Sequence, residues 1–288
     1  VENVMLMERV RSILFPVEIA ESTKQILPLA AEMVRMGIDE IRLLHVVKPV
    51  DVMSEPGILE EQKEAVLGYR RDLLSLGVPR VKGEVVIGSP WTEIVQRASS
   101  PKISSIVMGS HGKGLLERVF LGSQTRNVLH HTNRPLLVLR MAPGIRKGGQ
   151  ADLFSHILYT TDFSPGAENC IPLLEEMAAA RPGSLSIAFV QDLMPAGDVS
   201  GTKATVKTEQ ALTRLKEHFE GAGYPLVSTE VRTGDARTEL LQLIQEIHPT
   251  LLVMGAKGKE EMGIREKTLG SVVDLLVHHA PCHVFVVR

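Results

Sequence analysis

The segment SIVMGSHGKGLLERVFLGSQTRNVLHH, residues 105–131, returns near the carboxyl terminus as LLVMGAKGKEEMGIREKTLGSVVDLLVHH, residues 251–279. Each copy runs from an apolar stretch through a glycine-rich loop to a Gly-Ser pair and then a pair of histidines. Shorter echoes fall in the same order: ILFPVE (13–18) with ILYTTD (157–162), IRLLHVV (41–47) with LSIAFVQ (185–191), and VVIGSP (85–90) with VRTGDA (231–236). Self-similarity at about half the chain length marks a duplicated unit. Between the copies, APGIRKGGQAD (142–152) is polar, glycine-rich and without apolar periodicity, which reads as a linker. The expected division is therefore 8–141 for the first domain, 142–152 for the linker and 153–288 for the second domain, two domains being the natural prior for 288 residues.

The totals narrow the partners. With 44% hydrophobic and 23% charged residues, and 32 basic against 34 acidic side chains, the chain as a whole offers no general attraction for nucleic acid or a membrane surface. No run approaches the length of a membrane span, and the acidic start VENVMLMERV lacks the order of a secretory signal. The two cysteines, Cys170 and Cys282, are far apart and outside any C-x-x-C, so a reducing, cytoplasmic setting is expected, with both thiols acting as small buried hydrophobes.

Within each copy, short Val/Ile/Leu runs alternate with segments of 3.6-residue periodicity at 21–36, 58–76, 165–180 and 203–222. Near-continuous apolar strands such as Ile103–Met108 and Leu251–Met254 belong in parallel sheets covered on both faces, reached by right-handed crossovers. The expected fold is α/β: two tandem, doubly wound, Rossmann-like parallel sheets of five strands each. Ligands of such sheets settle beyond the carboxyl ends of the strands, where strand order reverses, so residues after strands one and four carry the functional reading.

Gly109, Gly112 and Gly114 permit positive φ and crowding of backbone N–H groups, and Gly122-Ser123 opens a helix whose first amides lack partners. Together with the helix dipole these make an anion cradle. The alternative is that the glycines only turn the chain and Ser123 caps its own helix; repetition of the pattern favours the cradle. The spacing G-x2-G-x9-G-S matches neither the P-loop nor the dinucleotide fingerprint.

Gly109, Gly112, Gly122 and Ser123, with the preceding IVMGSHG and the following VLHHTNRPLLVL, resemble the nucleotide-binding signature of the universal stress protein family, and the resemblance extends over both halves. It implies strand order 3-2-1-4-5 in each half and an ATP-type ligand, whether ATP, ADP or AMP, with Mg2+ accompanying a triphosphate. The acid after strand one would hold ribose, backbone after strand two would hold adenine, and the glycine loop would hold phosphate. Carried onto this chain, the implied site comprises Val17, Glu18, Val46, Met108, Gly109, His111, Gly112, Gly122, Ser123 and Gln124 in the first copy. In the second it comprises Thr161, Asp162, Val190, Met254, Gly255, Gly258, Gly270, Ser271 and Val272. Two departures stand out: Glu18 replaces the family's usual Asp, and the second loop has eleven residues between Gly258 and Gly270 instead of nine, Glu260 and Glu261 among them.

Ser271 and Asp274 read as a capping box that would place negative charge where a phosphate sits; Arg126 stands there in the first copy, so the first loop is expected to favour phosphate more than the second. The chemistry implied is binding, since no P-loop lysine or clearly placed acid serves hydrolysis. A regulatory or dimerisation module that binds adenine nucleotide is expected. A scaffold without ligand is the rival reading, as is a slow ATPase or self-phosphorylating protein with Ser123, Ser271 or His111 as acceptor. His130-His131, His278-His279 and His283 suggest metal only superficially, because Pro281 breaks helical spacing, and helix C-termini suit them better. Trp91 is expected to pack; Met108 and Met254 should be core first and cleft wall second. The terminal strands, 135–140 and 283–288, are expected at sheet edges that join the halves as an intrachain pseudo-dimer, with further pairing of whole chains through such edges.

Overall fold

The computed structural model describes residues 11–110, 121–140, 152–191, 200–258 and 269–288. The first copy supplies β1 (Ser12–Pro16), α1 (Glu21–Ala31), β2 (Glu40–Val47), α2 (Pro49–Ser54), α3 (Ile58–Ser75), β3 (Arg80–Ile87), α4 (Pro90–Ala98), β4 (Ile103–Gly109), α5 (Ser123–His131) and β5 (Leu136–Leu139). The second supplies β6 (His156–Thr160), α6 (Pro165–Glu168), α7 (Cys170–Ala178), β7 (Ser184–Gln191), α8 (Ser200–Ala222), β8 (Val227–Thr233), α9 (Ala236–Ile247), β9 (Leu251–Gly255), α10 (Ser271–His279) and β10 (His283–Val287). Most of the expected linker lies outside the described residues.

Two helices differ from their expected extent. The segment 21–36 is α-helical only to Ala31 and tightens into a 3₁₀ turn over Glu32–Met36, closed by Gly37 at φ 79°. The segment 165–180 breaks at Asn169 into α6 and α7. Pro172 lacks the N–H that a continuous helix would aim at the Glu168 carbonyl, and its ring would clash there; in the first turn of a new helix it costs nothing.

The strands form one sheet of order β3-β2-β1-β4-β5-β10-β9-β6-β7-β8, two 3-2-1-4-5 halves back to back. Alternation along each strand divides the core in two. One layer packs Ile13, Phe15, Val107, Tyr159 and Phe285 with apolar residues of α1, α3, α7 and α8; the other packs Leu14, Ile106, Val138, Leu158 and Val284 with α4, α5, α9 and α10. Both layers continue from one copy into the other.

That continuity comes from the antiparallel pairing of β5 with β10, in which Leu137 faces Phe285. Aligning PLLVLR (135–140) with HVFVVR (283–288) makes these two the same position in each copy, so a local two-fold axis passes between them. The residues ending the two strands act reciprocally. Arg140 donates from its guanidinium to the Val277 carbonyl in the last turn of α10, and Arg288 donates to the matching Leu129 carbonyl of α5. Each cation thus caps the negative end of the other copy's helix. Away from the axis, Arg35 donates to the Ala180 carbonyl at 2.6 Å and lies over the Phe154 ring at 5.5 Å, while Arg11 pairs with Glu176. β5 and β10 occupy each other's free edge, as the expected intrachain pseudo-dimer requires, and the outer edges of the sheet are β3 and β8.

The seam is not fully symmetric. Where the first copy has Pro135 the second has His283, whose Nδ1 accepts the Arg140 backbone N–H at 3.0 Å. Burial, reinforced by the Arg140 charge, pushes this imidazole down to about 4. The unfolded chain titrates it near 6.5, so its neutral form stabilises the fold fully above that pH, and the contribution is lost as pH falls through the folded value of about 4. Thermal unfolding between pH 7 and pH 4 should show a loss reaching roughly 3 kcal/mol from this residue. His283→Asn, which keeps an acceptor without the titration, should flatten the profile. Burial also lowers His130 and His156, but they titrate in both proteins, so the difference between profiles isolates His283; identical profiles would refute the assignment.

Candidate functional site

Strands one and four of each copy end side by side at the carboxyl edge of the sheet, and the turns beyond them are built differently. After β6, the Thr161 hydroxyl accepts the Phe163 N–H and Asp162 Oδ1 accepts the Ser164 N–H, both at 3.0 Å. These bonds hold Phe163 at φ 57°, a left-handed conformation costing about 1–2 kcal/mol for a bulky residue. Phe163 packs on Phe189 at 5.3 Å between ring centres, and Ser164 caps α6 through the Ala167 N–H. The Asp162 carboxylate is thereby fixed in orientation before any ligand arrives.

The other Asp162 oxygen, Oδ2, lies toward Gly258: a Cβ added at that glycine would stand 2.7 Å from it. Gly255 is tighter still, since a Cβ there would stand 2.2 Å from the Gly166 carbonyl oxygen. Glycine is required here so that the end of β9 can approach the start of α6 backbone to backbone. From this point Ala256 bonds to the Val287 carbonyl, and the Gly270 N–H bonds to the Ala256 carbonyl at 2.9 Å, aiming the first turn of α10 back at the strand ends.

These segments enclose a cavity of about 460 Å³. All nine second-copy residues expected from the sequence lie on its wall: Thr161, Asp162, Val190, Met254, Gly255, Gly258, Gly270, Ser271 and Val272. Met254 is also core, at 3% exposure. Sequence reasoning missed Phe189, Thr208, Asp235, Arg237 and Lys257, which share the wall. The available signal was the T-G-D run ending β8: Asp235 accepts the Thr238 N–H and hydroxyl, both at 3.0 Å, and caps α9, whose first turn also faces the cavity. The Thr238 backbone N–H, followed by its hydroxyl, holds the Asp235 carboxyl below its ordinary value.

In the first copy, Val17, Glu18, Val46, Met108, Gly109, Gly122, Ser123 and Gln124 occupy the matching strand and helix ends. His111, Gly112 and Gly114 lie outside the described residues, as do Glu260 and Glu261 in the second copy. The turn after β1 uses Tyr69, whose hydroxyl accepts the Ala20 N–H at 3.1 Å, and Thr23, which donates to the Glu18 carbonyl. Glu18 itself is exposed. Gln124 accepts the Trp91 N–H at 3.1 Å, joining α4 to α5. Trp91 packs on His131 with ring centres 4.8 Å apart, as a packing role requires.

The expected capping box does not form. Gly270, not Ser271, is the N-cap of α10, and Asp274 turns away from the cavity toward the seam, its Oδ1 lying 3.8 Å from His130 Nε2 and 3.6 Å from His278 Nδ1. Both histidines lie beyond hydrogen-bond distance, and Asp274 Oδ1 is buried there without a hydrogen-bond partner among the described residues. Asp274 therefore places no charge over the α10 amides, and that ground for a weaker second site falls away. The paired histidines end α5 and α10, with His131 and His278 bonding carbonyls four residues back. Among the described residues no group of three His, Cys, Asp or Glu is arranged to hold a metal, and no helix is long and apolar enough to cross a membrane. Both cysteines are buried, and burial pushes their thiols up, that of Cys282 to about 12.

The sequence profile of the Universal stress protein family matches residues 9–140 and 153–288. Universal stress protein MJ0577 of Methanocaldococcus jannaschii is 29% identical over 154 residues, spanning 45% of this chain and 94% of its own. A universal stress protein of Mycolicibacterium smegmatis is 26% identical over 265 residues, 86% of this chain and 87% of its own, so that alignment runs through both copies. The crystal structure of a universal stress protein from Archaeoglobus fulgidus shares the fold, with a TM-score of 0.71 over 96% of this chain and 98% of that one at 23% identity.

The close approach of β9 to α6 is directly testable. Gly255→Ala should force α6 outward and lower stability by about 1–3 kcal/mol. Urea unfolding measures it, and an unchanged midpoint would show that the backbone contact is not tight.

Proposed function

The chain belongs to the universal stress protein family, and on that footing we propose that it is a stress-response protein whose clefts bind an adenine nucleotide and whose occupancy biases the packing of its two halves. The domains of this reading are residues 8–141 and 153–288, joined by the linker 142–152, in a cytoplasmic protein. One observation carries the proposal: nine residues chosen from separate segments of the second copy converge on a single cavity of about 460 Å³, a volume within the range of small-molecule sites.

The chemistry of the lining fits the ligand. Asp162, fixed by its bond to the Ser164 N–H, suits a ribose hydroxyl donor. Phe189 and Val190 offer an apolar wall and the main chain of strand two for adenine. The first turn of α10 directs the positive end of its helix dipole at the cavity, where a phosphate gains most, whereas the start of α9 is already capped by the Asp235 carboxylate. Gly258 leaves open the space that a side chain would take from Asp162. In the first copy the matching contacts would come from Glu18, Val46 and the Gly122-Ser123 helix start, with the longer carboxylate reaching a different ribose position. Binding is the activity proposed, and Mg2+ would accompany only a triphosphate.

Calorimetry of the full chain with ATP, ADP, AMP and adenosine tests the reading. Asp162→Ala should weaken AMP at least tenfold, the loss of a charge-assisted hydrogen bond, and Gly258→Ala should do likewise by displacing Asp162. Adenosine should bind more weakly than AMP if the helix amides hold phosphate. Absence of heat with all four ligands would leave a paired scaffold as the remaining reading.

A further inference from the structure

The amino end of the first copy's sheet, opposite the cleft described above, contains a second and larger cavity of about 910 Å³. Its wall carries seven cationic side chains and one carboxylate. Arg11, Arg42, Arg80, Lys82, Lys102 and Arg134 come from strand beginnings and the turns before them, and Arg70 comes from α3. In a chain of formal net charge −2, such a concentration is a local feature and not a reflection of composition.

The single carboxylate is already committed. Glu40 is 2% exposed and bound by Arg42 and by Lys82 at 2.8 Å. Burial alone would raise its pKa, but the hydrogen bonds from Lys82 and Arg42 outweigh burial and lower it, so it stays ionised. Neighbouring acids are also engaged: Glu176 pairs with Arg11 across the copies, Glu84 pairs with Arg97 at 2.8 Å, and Asp39 accepts the Arg11 backbone N–H. Arg70 and Arg134 donate to backbone carbonyls of Val81, Ala98 and Ser100, which fixes their guanidinium groups without neutralising them. Arg80 and Lys102 have no side-chain hydrogen-bond or ion-pair partner among the described residues.

The fold does not demand these charges. Strand registers equate Arg11, Arg42 and Arg80 with Ser155, Ser186 and Leu226 of the second copy. By the same registers Lys82, Lys102 and Arg134 correspond to Ser228, His248 and Cys282. The same architecture is thus built in one molecule without a single lysine or arginine at these six places. Keeping like charges together opposes folding unless something answers them.

We propose that this cleft binds a compact molecule carrying three or more phosphate groups. Concavity favours a small ligand over a duplex or an extended strand, and no aromatic side chain lines the wall to stack a base. Guanidinium groups anchored on carbonyls present their remaining donors in fixed forks, the geometry that matches phosphate oxygens. Arg80 and Lys102, exposed at the rim, add two further cations to the ligand's contacts.

The test titrates the full chain with sodium tripolyphosphate at physiological ionic strength, orthophosphate and a single-stranded RNA oligomer serving as parallel arms. Tripolyphosphate should bind, orthophosphate should bind far more weakly, and the double variant Arg80→Ala/Lys102→Ala should lose affinity for tripolyphosphate at least tenfold. Both substitutions are at exposed positions and relieve like-charge repulsion, so the thermal midpoint should not fall, and AMP binding at the opposite cleft should be unaffected. Binding that the double variant leaves intact would overturn the proposal, because the phosphates would then be held elsewhere. So would RNA binding lost in that variant without any tripolyphosphate binding.

Discussion

The pairing of β5 with β10 is the contact on which the architecture depends. Each five-strand half, taken alone, would expose an apolar strand with a row of unpaired backbone groups. Leu137 opposite Phe285 closes both edges at once and merges two core layers into continuous sheets of packing. Arg140 and Arg288 then reach past the strands to the last turns of α10 and α5. Those helices begin at the carboxyl ends of β9 and β4, where the glycine loops are. The seam and the helix starts beside the strand ends are therefore opposite ends of the same two rods.

Much of this was legible in the residues. The duplication and the alternation of buried strands with amphipathic helices gave the two α/β units, while the strand order and the nine cavity residues of the second copy came from the resemblance of the glycine-loop segments to the universal stress protein family. What was not legible involved choices between partners that only three dimensions bring together. Asp274 has the spacing of a helix cap, but its carboxylate is turned toward the seam, beside His130 of the other copy and His278 of its own helix. Asp235 reads as an ordinary turn residue until α9 is seen to start at the cavity wall. The break at Asn169 was visible in Pro172, whose consequence for the preceding turn a periodicity count ignores.

The basic cleft shows a different limit. Its seven cations are scattered from Arg11 to Arg134 and vanish into a nearly neutral total. Only the parallel registers bring them to one end of one half, and only the comparison of the two copies shows that the same strand order is built without them. A chain that is written twice contains its own control: differences at matched positions separate what the backbone needs from what one half has acquired.

Because β5 and β10 belong to one polypeptide, their union is a first-order event, governed by the local concentration that the tether imposes and not by how much protein a cell contains. An assembly of separate subunits would dissociate on dilution and could exchange partners with its relatives. Here both edges are saturated from within the chain, so mixing with other family members through that strand is blocked. The two copies are delivered in fixed one-to-one proportion, and each is free to drift in sequence without having to remain compatible with a copy of itself.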